Sequence, residues 1–431
     1  MSAVGDARAR YNELLHGAHR ASTLDALGSL IRKTTLATPR MVTRTTIDEL
    51  HTATTQVMGA LRIAVEQLVS TAALRGQLGL AGQFEPVIAL DLAQARWPLM
   101  ARLNAFVGAD GVARFLEYNA ESSVNQHAVE ITEALERAPI AVEMRRHMSI
   151  HTCDLHALAL REIERELGSA PVIAVLGTAD LANDSRWIPH VAARACWRVV
   201  PVAFEDLAFD GSALRACGQV VQMVALADAA DITTSRELLE PVLAAVRAGV
   251  VRLPNGLARG LLAGYKSTFE LLSDPEHAHL FDVETQRALR AHIPWTRVLR
   301  NRTTTYGDRD VDLMPFIAEN RARFVIKPSG AHSGAGVVLG WEATDAAWQQ
   351  AIKISRVVQS VVQERVDEGP GEIFAELRPD GELQSATCTA DLDPFVVHGG
   401  DPAAALSRVA RSGRHNHAAG SWVAPVWVLE R

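Results

Sequence analysis

Glu117 and Asn119 stand two residues apart in Ala113-Arg-Phe-Leu-Glu-Tyr-Asn119. The pattern predicts a strand, so both side chains leave the same face. A carboxylate beside an amide carbonyl is an all-oxygen arrangement suited to Mg²⁺ and nucleotide phosphates. Upstream, 99–107 predicts a partner strand, and Gly108-Ala-Asp-Gly111 between the two apolar runs predicts a hairpin turn. Across this hairpin Arg102 and Asn104 also share a face. If it is the face of Glu117 and Asn119, the result is a cluster of one cation, two amides and a carboxylate. A strand pair with a solvated polar face accounts for the same pattern without a ligand.

A second candidate lies in 322–340, a strand ending in Lys327-Pro328, then a loop with Ser329, Gly330, Gly334 and Gly336, then another strand. Glycines let a backbone fold tightly over phosphate oxygens with its N–H groups turned inward. Lys327 at the strand end would add a point charge. A ligand-free glycine-rich hairpin fits the same residues, and a dinucleotide-binding fingerprint does not, because a strand follows the loop. Lys266 in Gly260-Leu-Leu-Ala-Gly-Tyr-Lys-Ser-Thr268 superficially resembles a P-loop lysine, but Tyr265 interrupts the required Gly-Lys pair. From the residues alone it is a helical surface lysine. Val361-Val-Gln-Glu-Arg-Val366 reads as a core strand or as a hinge strand holding an adenine, with Gln363 or Glu364 nearby. Asp393, Ser407 and Arg408, followed by 411–420 with Asn416, read as a polar loop region. His332, His398, His415 and His417 lack metal-ligand spacing and read as surface histidines.

These residues must be positioned by a chain of 431 residues, enough for two or three domains. Its 48 % hydrophobic and 22 % charged content are those of an ordinary globular protein. The formal charge of −7, with no basic block, argues against a nucleic-acid partner. Cys153, Cys196, Cys217 and Cys388 form no C-x-x-C pair, so reduced core thiols are expected. No signal-peptide pattern and no run of about 18 apolar residues occurs, so the expectation is a cytoplasmic protein without membrane partners.

Residues 1–84 predict an N-terminal helical segment, as in Thr46–Met58 with its i, i+3/i+4 apolar spacing. Short strands are expected across 86–120, including 86–91, and helices across 125–168. Then Pro171-Val-Ile-Ala-Val-Leu-Gly177 opens a strand, helix, strand alternation, with strands at 197–202 and 219–225, that predicts a doubly wound α/β unit over 170–256. Helices are expected at 257–273, 282–292 and 343–353, with strands around and after them. The fold class is α/β (α+β), in four parts: 1–84, 85–169, 170–256 and 257–431.

In this order the segments resemble the circularly permuted ATP-grasp enzymes, with glutathionylspermidine synthetase and eukaryotic glutathione synthetase as the relatives. The resemblance rests on Arg102-Leu-Asn104, Glu117-Tyr-Asn-Ala-Glu-Ser122, the Lys266 helix, Val325-Ile-Lys-Pro-Ser-Gly330 and Gln363 to Val366, and covers roughly 85–431. It implies a circularly permuted ATP-grasp fold with an inserted parallel-sheet unit, and ATP and Mg²⁺ as cofactors. Asn104, Glu117 and Asn119 would hold the metal, and Arg102 would be the catalytic clamp on the transferring phosphoryl group. Lys266, Lys327, Ser329, Gly330, Gly334, Gly336, Gln363, Glu364 and Val366 would bind ATP, with 329–336 closing as a lid. Asn104 departs from the family, which usually places an acid there; Glu121 partly substitutes on this reading.

The implied activity is an ATP-dependent carboxylate–amine ligase forming an amide or peptide bond through an acyl phosphate. Its partners would be a small carboxylic acid and an amine, such as an amino acid or peptide. The alternatives are a catalytically weak ATP-binding pseudoenzyme or scaffold, which Asn104 favours, and a phosphotransferase on a non-carboxylate acceptor.

Overall fold

The hairpin expected at 99–119 forms one edge of the largest sheet. The structure is a computed structural model that describes residues 3–28, 35–80, 82, 84–91, 96–120, 126–176, 187–225, 236–254, 256–331, 334–378, 380–411 and 421–430. Strands Met100–Val107 and Ala113–Asn119 pair antiparallel, with Arg102 opposite Asn119 and Asn104 opposite Glu117. Gly111 at φ +76° makes the turn, a conformation that glycine adopts without steric cost. A bulge then places Ala105 opposite Phe115 and leaves Leu116 as the extra residue.

This sheet runs in the order Thr35–Leu36, Glu372–Leu377, Leu383–Ala390, Asp401–Ala410, Asp393–Val397, Met100–Val107, Ala113–Asn119, with Trp422–Ala424 added beside Asp401–Ala410. Every pairing in it is antiparallel. The region around Asp393 and Arg408 is therefore a pair of inner strands and not a polar loop. Pro394 is tolerated in an inner strand beside an irregularity in register between Phe395 and Val396.

A second, four-stranded antiparallel sheet is ordered Thr296–Val298, Ser360–Glu364, Phe324–Pro328, Val338–Leu339. Its apolar face packs under helices Leu313–Glu319 and Asp345–Ile354 through Phe324, Ile326, Val362, Ile317 and Trp348. The indole of Trp348 donates to the Ile317 carbonyl at 2.9 Å, so the largest side chain of this core leaves no unmet donor.

The α/β unit near 170–256 carries Val172–Leu176 between Arg198–Val202 and Met223–Ala225, all parallel. The strand expected at 219–225 is two strands. Gln219–Val221 joins an antiparallel meander with Leu214–Ala216 and Leu207–Phe209, and Met223–Ala225 joins the parallel sheet. Gln222 marks the hand-over, its side-chain carbonyl accepting the Val172 N–H at 2.7 Å.

Two other expectations change. Residues 86–91 are not a strand but helix Glu85–Asp91. A short apolar run has no decisive period, whereas Glu85 and Pro86 are helix-start residues. The helix expected over 257–273 is two helices, Ala258–Gly264 and Thr268–Ser273, separated by 265–267.

The N-terminal segment holds helices Ala3–His16, Arg20–Gly28, Arg44–Ser70 and Ala72–Gln77. Thr43 caps the longest by accepting the Thr46 N–H at 3.1 Å, and Ile47, Leu50, Val57, Leu61, Val65 and Leu68 form its buried stripe. Strand Arg40–Thr43 runs parallel to Val426–Leu429, tying this segment to the end of the chain. No described helix is long and apolar enough to cross a membrane.

Candidate functional site

The hairpin register brings its four polar side chains into one hydrogen-bonded group. Asn104 is the hub. Its Oδ1 accepts from Arg102 Nη1 at 2.7 Å and from Asn119 Nδ2 at 3.1 Å, and its Nδ2 donates to Glu117 Oε1 at 2.5 Å. Arg102 and Asn104 are buried, and the rigid strand pair holds the group with little freedom to rearrange.

Lys266 reaches this group because its helix breaks. In the break, the Lys266 N–H donates to the Ser329 carbonyl and the Ser267 N–H to the Ser329 hydroxyl, each at 3.0 Å. The segment is thereby pinned to the start of the glycine-rich loop. Lys266 Nζ donates to the Ala331 carbonyl at 2.7 Å and lies 3.5 Å from Glu117 Oε2. The lysine is buried, not on the solvated surface.

Lys327 stands at the end of strand Phe324–Pro328 and is also buried. Its ammonium donates to Gln363 Oε1 at 2.6 Å. Gln363 Nε2 donates in turn to Thr296 Oγ1 at 3.0 Å and to the Leu116 carbonyl at 3.2 Å. The bulge in the hairpin is what frees that carbonyl. Gln363 therefore joins the four-stranded sheet to the hairpin and sets the direction of Lys327.

Beyond it, Glu364 is half-buried, accepts a hydrogen bond from the Tyr306 hydroxyl, and donates its N–H to the Trp295 carbonyl at 2.8 Å. Val366 is half-buried just past the strand. In the loop, a Cβ on Gly330 would lie 2.9 Å from the Tyr265 ring, so glycine is needed there for close approach. Gly334 and Gly336 each have φ +71°. Ser329 is fully buried. His332, His415, Asn416, His417 and Glu121 lie outside the described residues.

Three further charged residues complete the site, and the reading of the sequence assigned none of them a role. Asp393 pairs with Arg102 Nη1 through Oδ2 and accepts the Ala105 N–H at 3.0 Å. Arg408 lies 2.7 Å from Asp391 Oδ2 and 3.3 Å from Asp393 Oδ2. The available signal was Asp391-Leu-Asp393, two carboxylates two positions apart where a strand begins, and an arginine in the small, apolar run 403–409.

Formally, Arg102, Lys266, Lys327 and Arg408 oppose Glu117, Asp391 and Asp393. Burial pushes the Glu117 carboxyl up, but Lys266, Lys327, Arg408 and Arg102 outweigh it and hold it at about 2. Burial, helped by the Lys266 and Arg408 charges, pulls the Lys327 ammonium down to about 8 against the attraction of Glu117. Asp391 and Asp393 are both raised, chiefly by burial, with Arg408 and Arg102 opposing. A cationic excess among fixed groups suits a polyanionic ligand.

The donors fit one hard divalent cation. Glu117 is held ionised at neutral pH, and the one side-chain bond of Asn119 among the described residues is made by its Nδ2 to Asn104, which leaves its Oδ1 to face a cation. Asn104 Oδ1 is already engaged by two N–H donors. Among the described residues no group of three or more His, Cys, Asp or Glu side chains is placed to hold a metal. Mg²⁺ commonly takes one or two carboxylates and completes its shell with phosphates and water.

Among solved structures, the chain shares its fold with a glutathione synthetase-like effector from Globodera pallida in its apo form. The TM-score is 0.59 at 12 % identity, over 95 % of this chain and 96 % of that one. Weaker likenesses, which carry no argument, are to a putative gamma-glutamylcysteine synthetase from Methylobacillus flagellatus KT and to D-alanyl-alanine synthetase A from Vibrio cholerae O1 biovar eltor. The first has TM-score 0.38 and 11 % identity over 88 % and 86 % of the two chains, the second 0.27 and 14 % over 52 % and 67 %. No protein-family profile and no curated protein matches the chain.

Proposed function

We propose that this chain is an ATP-dependent carboxylate–amine ligase on a circularly permuted ATP-grasp fold. The observation that carries the reading is the meeting of Lys266 with Glu117 at 3.5 Å, in a cluster where Lys327 and Arg102 also act on that carboxylate. The hairpin and two segments more than a hundred residues further along the chain supply these groups, which suits the polyphosphate of ATP. On this reading 1–84 is a helical addition, 85–169 carries the metal-binding hairpin, 170–256 is an insertion, and 257–431 supplies the lid and the rest of the ATP site. On this reading the protein works in the cytoplasm, where ATP is available.

Lys266 and Lys327 hold ATP phosphates in the ground state, with loop N–H groups from Gly330, Gly334 and Gly336 around them, while Ser329, whose own N–H donates to the Gln359 carbonyl at 2.8 Å, anchors the start of the loop. Main-chain groups of Glu364 and Val366 hold the adenine, and Gln363 contributes by orienting Lys327. Glu117 and Asn119 hold Mg²⁺, which when bound neutralises charge on the phosphate oxygens. Asn104 orients both these ligands and Arg102.

A carboxylate oxygen of the acid attacks the γ-phosphorus, and the bond to ADP breaks, leaving an acyl phosphate. The amine nitrogen then attacks the acyl carbon, loses a proton, and phosphate departs with its bonding electrons. Arg102 faces the negative charge that develops in both steps. Closure of 329–336 excludes water that would hydrolyse the acyl phosphate.

The test is ADP release with a panel of amino acids and small acids, with hydroxylamine present to trap activated acyl groups. Acid-dependent ADP together with a hydroxamate is expected. ATP binding without acid-dependent ADP would replace this reading by that of a nucleotide-binding pseudoenzyme. The engagement of Asn104 Oδ1 by Arg102 and Asn119 is the observation that favours that second reading.

A further inference from the structure

Asp393 sits under the site on an inner strand, and its side chain is completely buried. Both its oxygens have partners. Oδ1 accepts the Ala105 N–H at 3.0 Å; Oδ2 pairs with Arg102 Nη1 and lies 3.3 Å from Arg408 Nε. One buried carboxylate is thus shared by guanidiniums from two different strands.

Neutralisation alone does not require this arrangement. Arg408 already has Asp391, whose Oδ2 is 2.7 Å from both its Nε and its Nη2. Arg102 already donates to Asn104. What Asp393 adds is a link between the two arginines. Each keeps donors in reserve: among the described residues the side-chain contacts of Arg102 use its Nη1 alone, and those of Arg408 use its Nε and Nη2. Both charges act on Glu117, and that of Arg408 also acts on Lys327. Arg408, anchored along its Nε–Nη2 edge, presents its remaining N–H groups in a fixed direction, and Arg102 is held at Nη1 between Asn104 and Asp393.

We propose that Asp393 is a positioning residue that locks Arg102 and Arg408 into a paired-guanidinium receptor for the dianionic group in transfer. This rests on the ligase reading, in which that group is the phosphoryl group of ATP and then the acyl phosphate. Asp393 itself touches neither. Two guanidiniums preset at one separation stabilise a spread-out dianion better than two independently mobile ones, because the ordering is complete before the reaction begins.

The test compares binding of MgADP alone with binding of MgADP plus fluoroaluminate, a mimic of the phosphoryl group in transfer. The parent protein should bind the second combination at least about tenfold more tightly. Asp393→Asn should bind MgADP within about threefold of the parent and lose that tightening. A merely structural role would weaken both equally, together with thermal stability. Retention of the tightening would overturn the proposal. Should Asp393→Asn fail to fold, Asp393→Ser keeps an acceptor for the Ala105 N–H and serves in its place.

If the parent binds neither nucleotide combination, the ligase reading has failed, and the positioning role is judged without nucleotide. Hindered guanidinium rotation in Arg102 and Arg408, followed by NMR of arginine-labelled protein, should then be seen in the parent and lost in the variant. Equal rotation in both would overturn it.

Discussion

Lys266 places its ammonium 3.5 Å from a carboxylate oxygen of Glu117, so the anion suited to a divalent cation already has a counter-ion from the chain. The pair joins a break between two helices to a hairpin strand nearly 150 residues away. A metal must therefore compete with Lys266 unless nucleotide phosphates draw the lysine away. Mg²⁺ alone should bind weakly and bind far better with ADP present. Calorimetric titration of Mg²⁺ with and without ADP checks this, and equal affinity in the two would refute it.

Glu117→Gln should remove most ATP turnover while leaving the protein folded. Its signature in stability is at acid pH. The Glu117 carboxyl falls from an ordinary 4.5 to about 2 in the folded chain, so the folded state binds its proton less readily than the unfolded one. Its contribution to stability is fully present above about 4.5 and is lost as pH falls toward about 2. Thermal melts across that window should be flatter for Glu117→Gln than for the parent; identical slopes would show that Glu117 has ordinary acidity.

Lys327 is charged at neutral pH and titrates at about 8, below its ordinary 10.5. Nucleotide affinity should therefore decline as pH rises from 7 to 9, by up to about tenfold for loss of one phosphate-facing charge. Lys327→Ala should bind ADP more weakly at pH 7 and show no such decline. A decline of equal size in the variant would place the titrating group elsewhere.

Asn104→Asp would set a second carboxylate where an amide N–H now donates to Glu117 at 2.5 Å. Like charges at that separation repel. Without metal the variant should melt several degrees lower, and Mg²⁺ should restore part of the loss and bind more tightly than to the parent. An unchanged response to Mg²⁺ would separate this position from the metal.

Arg102→Ala should bind ATP within a few-fold of the parent yet lose nearly all acid-dependent ADP release. Deletion of a donor that acts on developing charge costs on the order of 10²–10³ in rate. Weakened ATP binding without a loss in turnover rate would make Arg102 a ground-state ligand.

Much of the hairpin was legible in the sequence because its determinants are local. The period of two assigns Arg102, Asn104, Glu117 and Asn119 to their faces, and the Asp-Gly turn brings those faces together. The strand before Lys327 and the α/β alternation beginning at 171 were legible for the same reason. Where local signals conflict or lack a period, the reading failed, as at the short apolar run 86–91, which is helical.

Tertiary structure decided the rest. Lys266 looks like a surface residue of a continuous helix until Ser329, 63 positions away, takes the N–H groups of the break and turns the lysine inward. Asp393 reaches Arg102 across 291 positions of sequence, and only the pairing of inner strands makes them neighbours. Periodicity encodes which face a side chain takes. Which distant faces meet depends on how sheets and helices close over a shared core, and that pairing is a property of the folded chain as a whole.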